Sequence, residues 1–206
     1  MKKSTTNVAF YTPYVMWLAL FVIAPMVLIV YQSFFDISGH FTLANYQTYF
    51  QSGTYIMMTI NSVWYAFLIT LATLLISYPT AYFLHYAKHK QLWLLLIILP
   101  TWINLLLKAY AFIGIFSQDG GVNSFLGMFG IAPQQFLFTD FSFIFVAAYI
   151  EIPFMILPIF NAIEELPENL VNASRDLGAK GWQTFTKVVW PLTISGVKSG
   201  VQAVFI

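Results

Sequence analysis

The chain has 206 residues, 59% of them hydrophobic and only 8% charged, with a net charge of +1. Soluble domains carry roughly 25% charged residues, so a water-facing surface cannot be assembled from this set, and the net charge is too small for a nucleic-acid partner. The absence of cysteine excludes disulfides, thiol catalysis and Cys-ligated metals.

In chain order, Lys2 and Lys3 precede an apolar run in the manner of a signal peptide. However, Tyr14 to Phe35 is 22 uncharged residues with no small-x-small cleavage site, which reads as a retained membrane helix. A bilayer core of about 30 Å needs about 20 apolar residues in a helix. Further runs of that kind fill 57–84, 92–116 and 142–163, and a fifth begins near 185 and runs to the end. The second is long enough to tilt or to reach the interface. The runs are continuous, without the alternation of a membrane barrel. The expected fold is an all-α polytopic transmembrane helical protein with four spans and a partial fifth.

The connections carry a consistent charge pattern. Lys2, Lys3, Lys88, Lys90, Arg175, Lys180 and Lys187 fall on one side, whereas 36–56 and 117–141 carry Asp36, Asp119 and Asp140 and no Lys or Arg. The positive-inside rule then predicts a plasma-membrane protein with a cytoplasmic N-terminus. Pro25, Pro79, Pro100, Pro153, Pro158 and Pro191 lie within the spans. Each removes an intrahelical hydrogen bond, so bent helices facing protein or a watery cavity are expected. The connection 117–141 mixes turn signals with aromatics and is expected to lie in the interface.

The stretch after the fourth span is the most polar. Leu166, Leu170, Ala173 and Leu177 are spaced 4, 3 and 4 apart, one stripe on a helix. Pro167 suits the first helical turn and Gly178 the position just past the end. A second helical segment puts Trp182, Phe185 and Val189 on one face and enters the fifth span through Pro191. On periodicity alone the first helix either rests in the headgroups or docks into a groove on a soluble partner. Glu164, Glu165 and Glu168 read as charges placed beside its N-terminal dipole.

The stretch "ASRDLGAKGWQTFTKVVWPLT" resembles the cytoplasmic loop of binding-protein-dependent ABC importer permeases: Glu-Ala-Ala, three residues, Gly, nine residues, Ile-x-Leu-Pro. Here Asn172-Ala173-Ser174, Gly178 and Val188-Val189-Trp190-Pro191 keep that spacing. Asn172, Ser174 and Trp190 stand where the pattern has Glu, Ala and Leu. The segments "NSVWYAFLITLATLLISYPTAYFL", "LPTWINLLLKAY", "GGVNSFL" and "IPFMILPIFNAIEELPENLVNASRDLGA" are similar to the spermidine/putrescine (PotB-type) branch.

The resemblance implies the ABC transporter type I permease fold, with 1–56 forming the N-terminus, first helix and outer loop. Residues 57–206 would then be an incomplete type-1 transmembrane domain containing a coupling segment at 164–191. It implies a coupling helix that inserts into a separate ATPase subunit, with Leu170, Asn172, Ala173, Ser174, Arg175, Asp176, Gly178 and Pro191 as coupling residues. A second permease subunit, an extracytoplasmic binding protein and a polyamine substrate are the other implied partners. ATP and Mg would sit on the ATPase, leaving this chain without a cofactor or an enzymatic activity of its own. Such permeases usually have six spans, so ending at Ile206 suggests a C-terminally truncated chain. The rivals are an ABC permease for another small solute and an ion-coupled secondary transporter using Glu151.

Three charges fall inside spans, where an ionisable group is a functional candidate by default. At 1.5 Å per residue, Glu151 lies about 14 Å into the fourth span, Lys108 about 24 Å along the third and Lys198 about 20 Å along the fifth. Glu151 suits a substrate ammonium, a pair with Lys108 or Lys198, or an interface with a second permease. Trp102, Tyr110 and Tyr149 offer aromatic faces to a cation. His85 and His89 sit four apart, as two metal ligands would, but Lys88 and Lys90 beside them repel a cation, so a solvated helix end is expected.

Overall fold

The structure is a computed structural model that describes residues 5–206; Lys2 and Lys3, counted above for orientation, lie outside the described residues. Among those residues the regular elements are helices, with one isolated antiparallel bridge between Phe35 and Phe41. The chain packs as two units, residues up to Asn61 and residues from Ser62 onward.

In the first unit, α1 (Thr5–Leu18) passes through one π-helical turn, Ala19–Ile23, into α2 (Ala24–Ser33). Pro25 has no N–H to give the carbonyl one turn back. The helix widens just upstream of it instead of breaking, a usual site for a π-bulge. Beyond α2, a turn is pinned by the Asp36 carboxylate, which accepts the His40 N–H at 2.8 Å. The Asn45 side chain, in α3 (Ala44–Gln51), donates to the carbonyls of Ser33 and Phe35, both at 3.0 Å.

The second unit is built on α4 (Gly53–His85) from Ser62 onward, α8 (Asp140–Glu164) and α11 (Trp190–Phe205). Thr70, Thr73, Ser77, Ala81 and Leu84 are the buried stripe of α4, recurring every three or four residues as one helix face does. The core joins Tyr78, Ala81 and Leu84 to Met155, Ile156, Ile159, Phe160 and Ile163 of α8 and Val197 of α11. Lipid offers no hydrophobic drive for helix pairing, so close backbone approach must supply the contact. Gly196 and Gly200 provide it: a Cβ on Gly196 would stand 2.5 Å from the Pro158 carbonyl oxygen and 2.6 Å from the Ala162 Cβ. Nearby, the Tyr78 and Thr193 hydroxyls share a buried hydrogen bond of 2.8 Å.

The third expected span, 92–116, is not one helix. It consists of α5 (Lys90–Ile98), a 3-10 turn at Leu99–Trp102, and α6 (Leu105–Phe116), followed by α7 (Gly121–Gly127). The parts on either side of the break are bent by 94°. Pro100 withholds a donor, Ile103 is extended at ψ 135°, and the Asn104 side chain accepts the Leu106 N–H at 2.8 Å. Asn104 thereby caps a new helix start. Pro100 predicts a bend here, but hydropathy, interrupted only by Thr101 and Asn104, does not give its size.

Three described helices are long and apolar enough to cross a membrane: Tyr11–Ser33, Gly53–His85 and Asp140–Glu164; the bent pair is a fourth candidate. The last helix starts as α10 (Gly181–Thr184) and passes a π-helical stretch at Phe185–Val189 before α11. That stretch precedes Pro191 as the first precedes Pro25. At Pro79, Pro153 and Pro158 the helix carries on. Between α8 and α10 lies α9 (Glu168–Asp176).

Candidate functional site

The segment that carries the loop signature is a short, tightly terminated helix. Pro167 stands at the N-cap of α9 with ψ 117°, one position earlier than the first helical turn expected for it, because its own backbone is extended. Glu168 occupies the first turn and Arg175 the last, each matching the dipole end it sits on. At the far end Gly178 takes φ +84°. Its N–H bonds to the Arg175 carbonyl at 2.8 Å and the Ala179 N–H to the Ser174 carbonyl at 3.1 Å, the paired bonds of a Schellman ending. A side chain would strain that left-handed backbone.

One face of α9 is seated and the other is bare. Ser174 turns inward, its hydroxyl sharing a 3.0 Å hydrogen bond with Thr184 of α10. Leu170, Asn172, Ala173, Arg175 and Asp176 are exposed. Leu177 is 89% exposed and Trp182 73%. The expected shared face of Trp182, Phe185 and Val189 is divided, since Val189 is buried. The π-helical stretch changes the angular step between these positions. Trp182 stacks on Phe185 at 5.5 Å, and Phe185 meets Tyr78 and Tyr82 edge-on at 5.7 and 5.8 Å. Pro191 is in the first turn of α11.

The acidic cluster does not sit together in the first turn of the coupling helix. Glu164 ends α8, where the helix dipole disfavours a carboxylate. It is held by His85 Nδ1 and Lys90 Nζ, each at 2.5 Å. His85 is therefore a paired, largely covered side chain and not a solvated helix end. No spacing rule within one helix links residues 85, 90 and 164. A cavity of about 190 Å³ lies alongside, lined by Tyr82, His85, Tyr86, Glu168, Asn172 and Arg175 among others.

Inside the spans, Glu151 is half-buried on α8 and has no ion-pair partner within 4.0 Å among the described residues. Lys108 lies in the first turn of α6, so its depth cannot be counted along a straight helix. Tyr149 packs edge-on against Phe112 at 5.0 Å. Trp102 is 73% exposed at the break and Tyr110 70% exposed on α6, on the side opposite Phe112. Lys198 is exposed on α11. The structure shows no ion-pair contact between Lys108 and Glu151 among the described residues, and leaves Trp102 and Tyr110 facing away from this chain's own core. A contact with no sequence forewarning joins the Tyr65 hydroxyl, as donor, to the Asp140 carboxylate at 2.6 Å.

Residues 46–206 match the family described as "Binding-protein-dependent transport system inner membrane component". The spermidine/putrescine transport system permease protein PotB of Escherichia coli (strain K12) is 37% identical over 92% of this chain and 72% of its own length. The Haemophilus influenzae PotB is 35% identical over 92% of this chain and 70% of its own. The inner membrane ABC transporter permease YdcU of E. coli is 30% identical over 90% of this chain and 66% of its own. Among solved structures, a bacterial ABC transporter that imports alginate superposes with a TM-score of 0.70 at 21% identity, over 94% of this chain and 69% of that one. That likeness is one of fold. The chain belongs to the inner membrane components of binding-protein-dependent transport systems, as an ABC permease of the PotB type.

Proposed function

We propose that this permease moves spermidine or putrescine into the cell, driven by a separate ATPase that grips residues 166–191. The observation that carries the coupling role is α9 itself. It begins at its N-cap, Pro167, is closed at its C-terminal end by Gly178 and is seated on Ser174, and it presents Leu170, Asn172, Ala173, Arg175, Asp176 and Leu177 bare. An amphipathic helix with an uncovered face suits a groove on a soluble partner. ATP and Mg belong to that partner, and this chain contributes no hydrolysis. An extracytoplasmic binding protein delivers substrate near 36–56 and 117–141, and the N-terminus is cytoplasmic.

The pathway residues we assign are Glu151, Lys108, Trp102, Tyr110 and Tyr149. Glu151 offers a carboxylate to a substrate ammonium, and the aromatic faces offer cation–π contact. A pathway formed against a second permease subunit makes use of the faces of Trp102 and Tyr110 that this chain leaves uncovered. The polyamine assignment rests on the similarity to PotB, since the alginate importer shares the fold. The test is uptake of radiolabelled spermidine by the assembled transporter, with putrescine, amino acids and sugars as competitors. Inhibition by putrescine alone supports the reading, and inhibition by an unrelated solute overturns the choice of substrate.

A further inference from the structure

Glu164 stands where a carboxylate is least welcome, at the C-terminal end of α8. It is nonetheless the junction of three helices. His85 reaches it from the last turn of α4 and Lys90 from the first residue of α5. Only Glu165, Leu166 and Pro167 separate it from α9. The other end of the coupling segment is also seated on α4, through Phe185 on Tyr78 and Tyr82 and through the Tyr78–Thr193 hydrogen bond. Both ends of the segment therefore bear on the last two turns of α4.

Helix α5 has no such covalent link to the segment. Leu94 and Ile97 pack it against the core, and at its cytoplasmic end it is tied by Lys90 to Glu164. Beyond α5 lie the 94° break and α6 with Lys108. We propose that Glu164, through Lys90 and His85, is the positioning residue that makes α4, α5 and α8 move as one body when the coupling segment is displaced. Motion at α9 then reaches the broken helix directly. The clamp rests on the coupling role proposed above for 166–191, but its geometry is independent of which solute is carried.

The three side chains are neither deeply buried nor free, at 22–38% exposure, so the pairs are shielded enough to hold and open enough to survive substitution. Because the chain has no cysteine, Gln91→Cys and Glu165→Cys place this chain's only thiols on α5 and at the end of α8. Spin labels there, on the assembled transporter in lipid vesicles with partner thiols blocked, report the distance between those helix ends. The clamp requires one narrow distance that survives addition of ATP. Glu164→Gln should broaden it and reduce ATP-driven uptake by roughly 5-fold or more while ATP hydrolysis continues. Adding Glu164→Lys to Lys90→Glu restores an opposite-charge pair and should recover both the narrow distance and uptake.

A Glu164→Gln distribution as narrow as wild type overturns the clamp, and so does a charge-swapped chain that reaches the membrane normally yet recovers neither readout. If the unsubstituted transporter hydrolyses ATP and shows the label behaviour but takes up no polyamine, the polyamine reading falls and the clamp stands.

Discussion

Glu151 lacks an ion-pair partner within 4.0 Å among the described residues, and Lys108 is carried on the broken span. A carboxylate held in a span is costly and persists where it has work to do. Glu151→Gln keeps the shape and removes the charge, which separates two roles. If Glu151 meets a substrate ammonium, uptake falls about tenfold or more, the loss of one charge-assisted hydrogen bond, while the amount of assembled transporter is unchanged. If its charge instead balances Lys108 within the fold, assembly or thermal stability drops with uptake. We expect the first outcome, read by uptake per assembled transporter; unchanged uptake removes Glu151 from the pathway.

At the scale of elements, the contact between α8 and α11 turns on two glycines four residues apart. The neighbours of Gly196 are the Pro158 carbonyl oxygen, the Ala162 Cβ and, at 3.1 Å, the Ile159 Cα, none of which can swing aside. Gly200 faces chiefly the Met155 sulfur at 2.7 Å, the end of a flexible side chain. Gly196→Ala should therefore cost more, about 1–3 kcal/mol of overpacking, and Gly200→Ala less. Thermal unfolding of the two variants in detergent checks the order, and equal losses would mean the helices slide to accommodate either methyl. Gly196 and Gly200 form a G-x-x-x-G spacing, a sequence signal for close helix approach, but it gives no hint of which helix they touch. What the sequence did disclose was local. Long apolar runs located the helices, and the spacing from Leu166 to Gly178 located α9 and its ending. At Pro100 the sequence signalled a bend in the third span but not its 94° size, because only Thr101 and Asn104 interrupt the apolar residues around it. The Glu164 clamp escaped because its three members are 74 and 79 residues apart.

For the whole molecule, the 94° bend leaves two topologies that length and composition do not separate. If α5 and α6 together cross the bilayer, residues 117–141 lie opposite Lys88, and α8 returns the chain so that Lys180 shares the side of Lys88. If the pair enters and leaves on one face, Asp119 joins Lys88 and the coupling segment is carried to the other side. The charges favour the crossing. Lys88, Lys90, Arg175, Lys180 and Lys187 then lie together, and 117–141, with Asp119 and Asp140 but no Lys or Arg, lies apart, as the positive-inside rule requires. The second topology would place Arg175, Lys180 and Lys187 outside, away from any cytoplasmic ATPase. Single cysteines introduced by Ser38→Cys, Lys88→Cys, Asp119→Cys and Lys180→Cys, in a chain that otherwise has none, distinguish the two. A membrane-impermeant maleimide applied to intact cells should label the first and third and spare the others until the membrane is opened. Protection of Asp119→Cys together with labelling of Lys180→Cys would make the bent pair a re-entrant loop and remove the coupling role from α9.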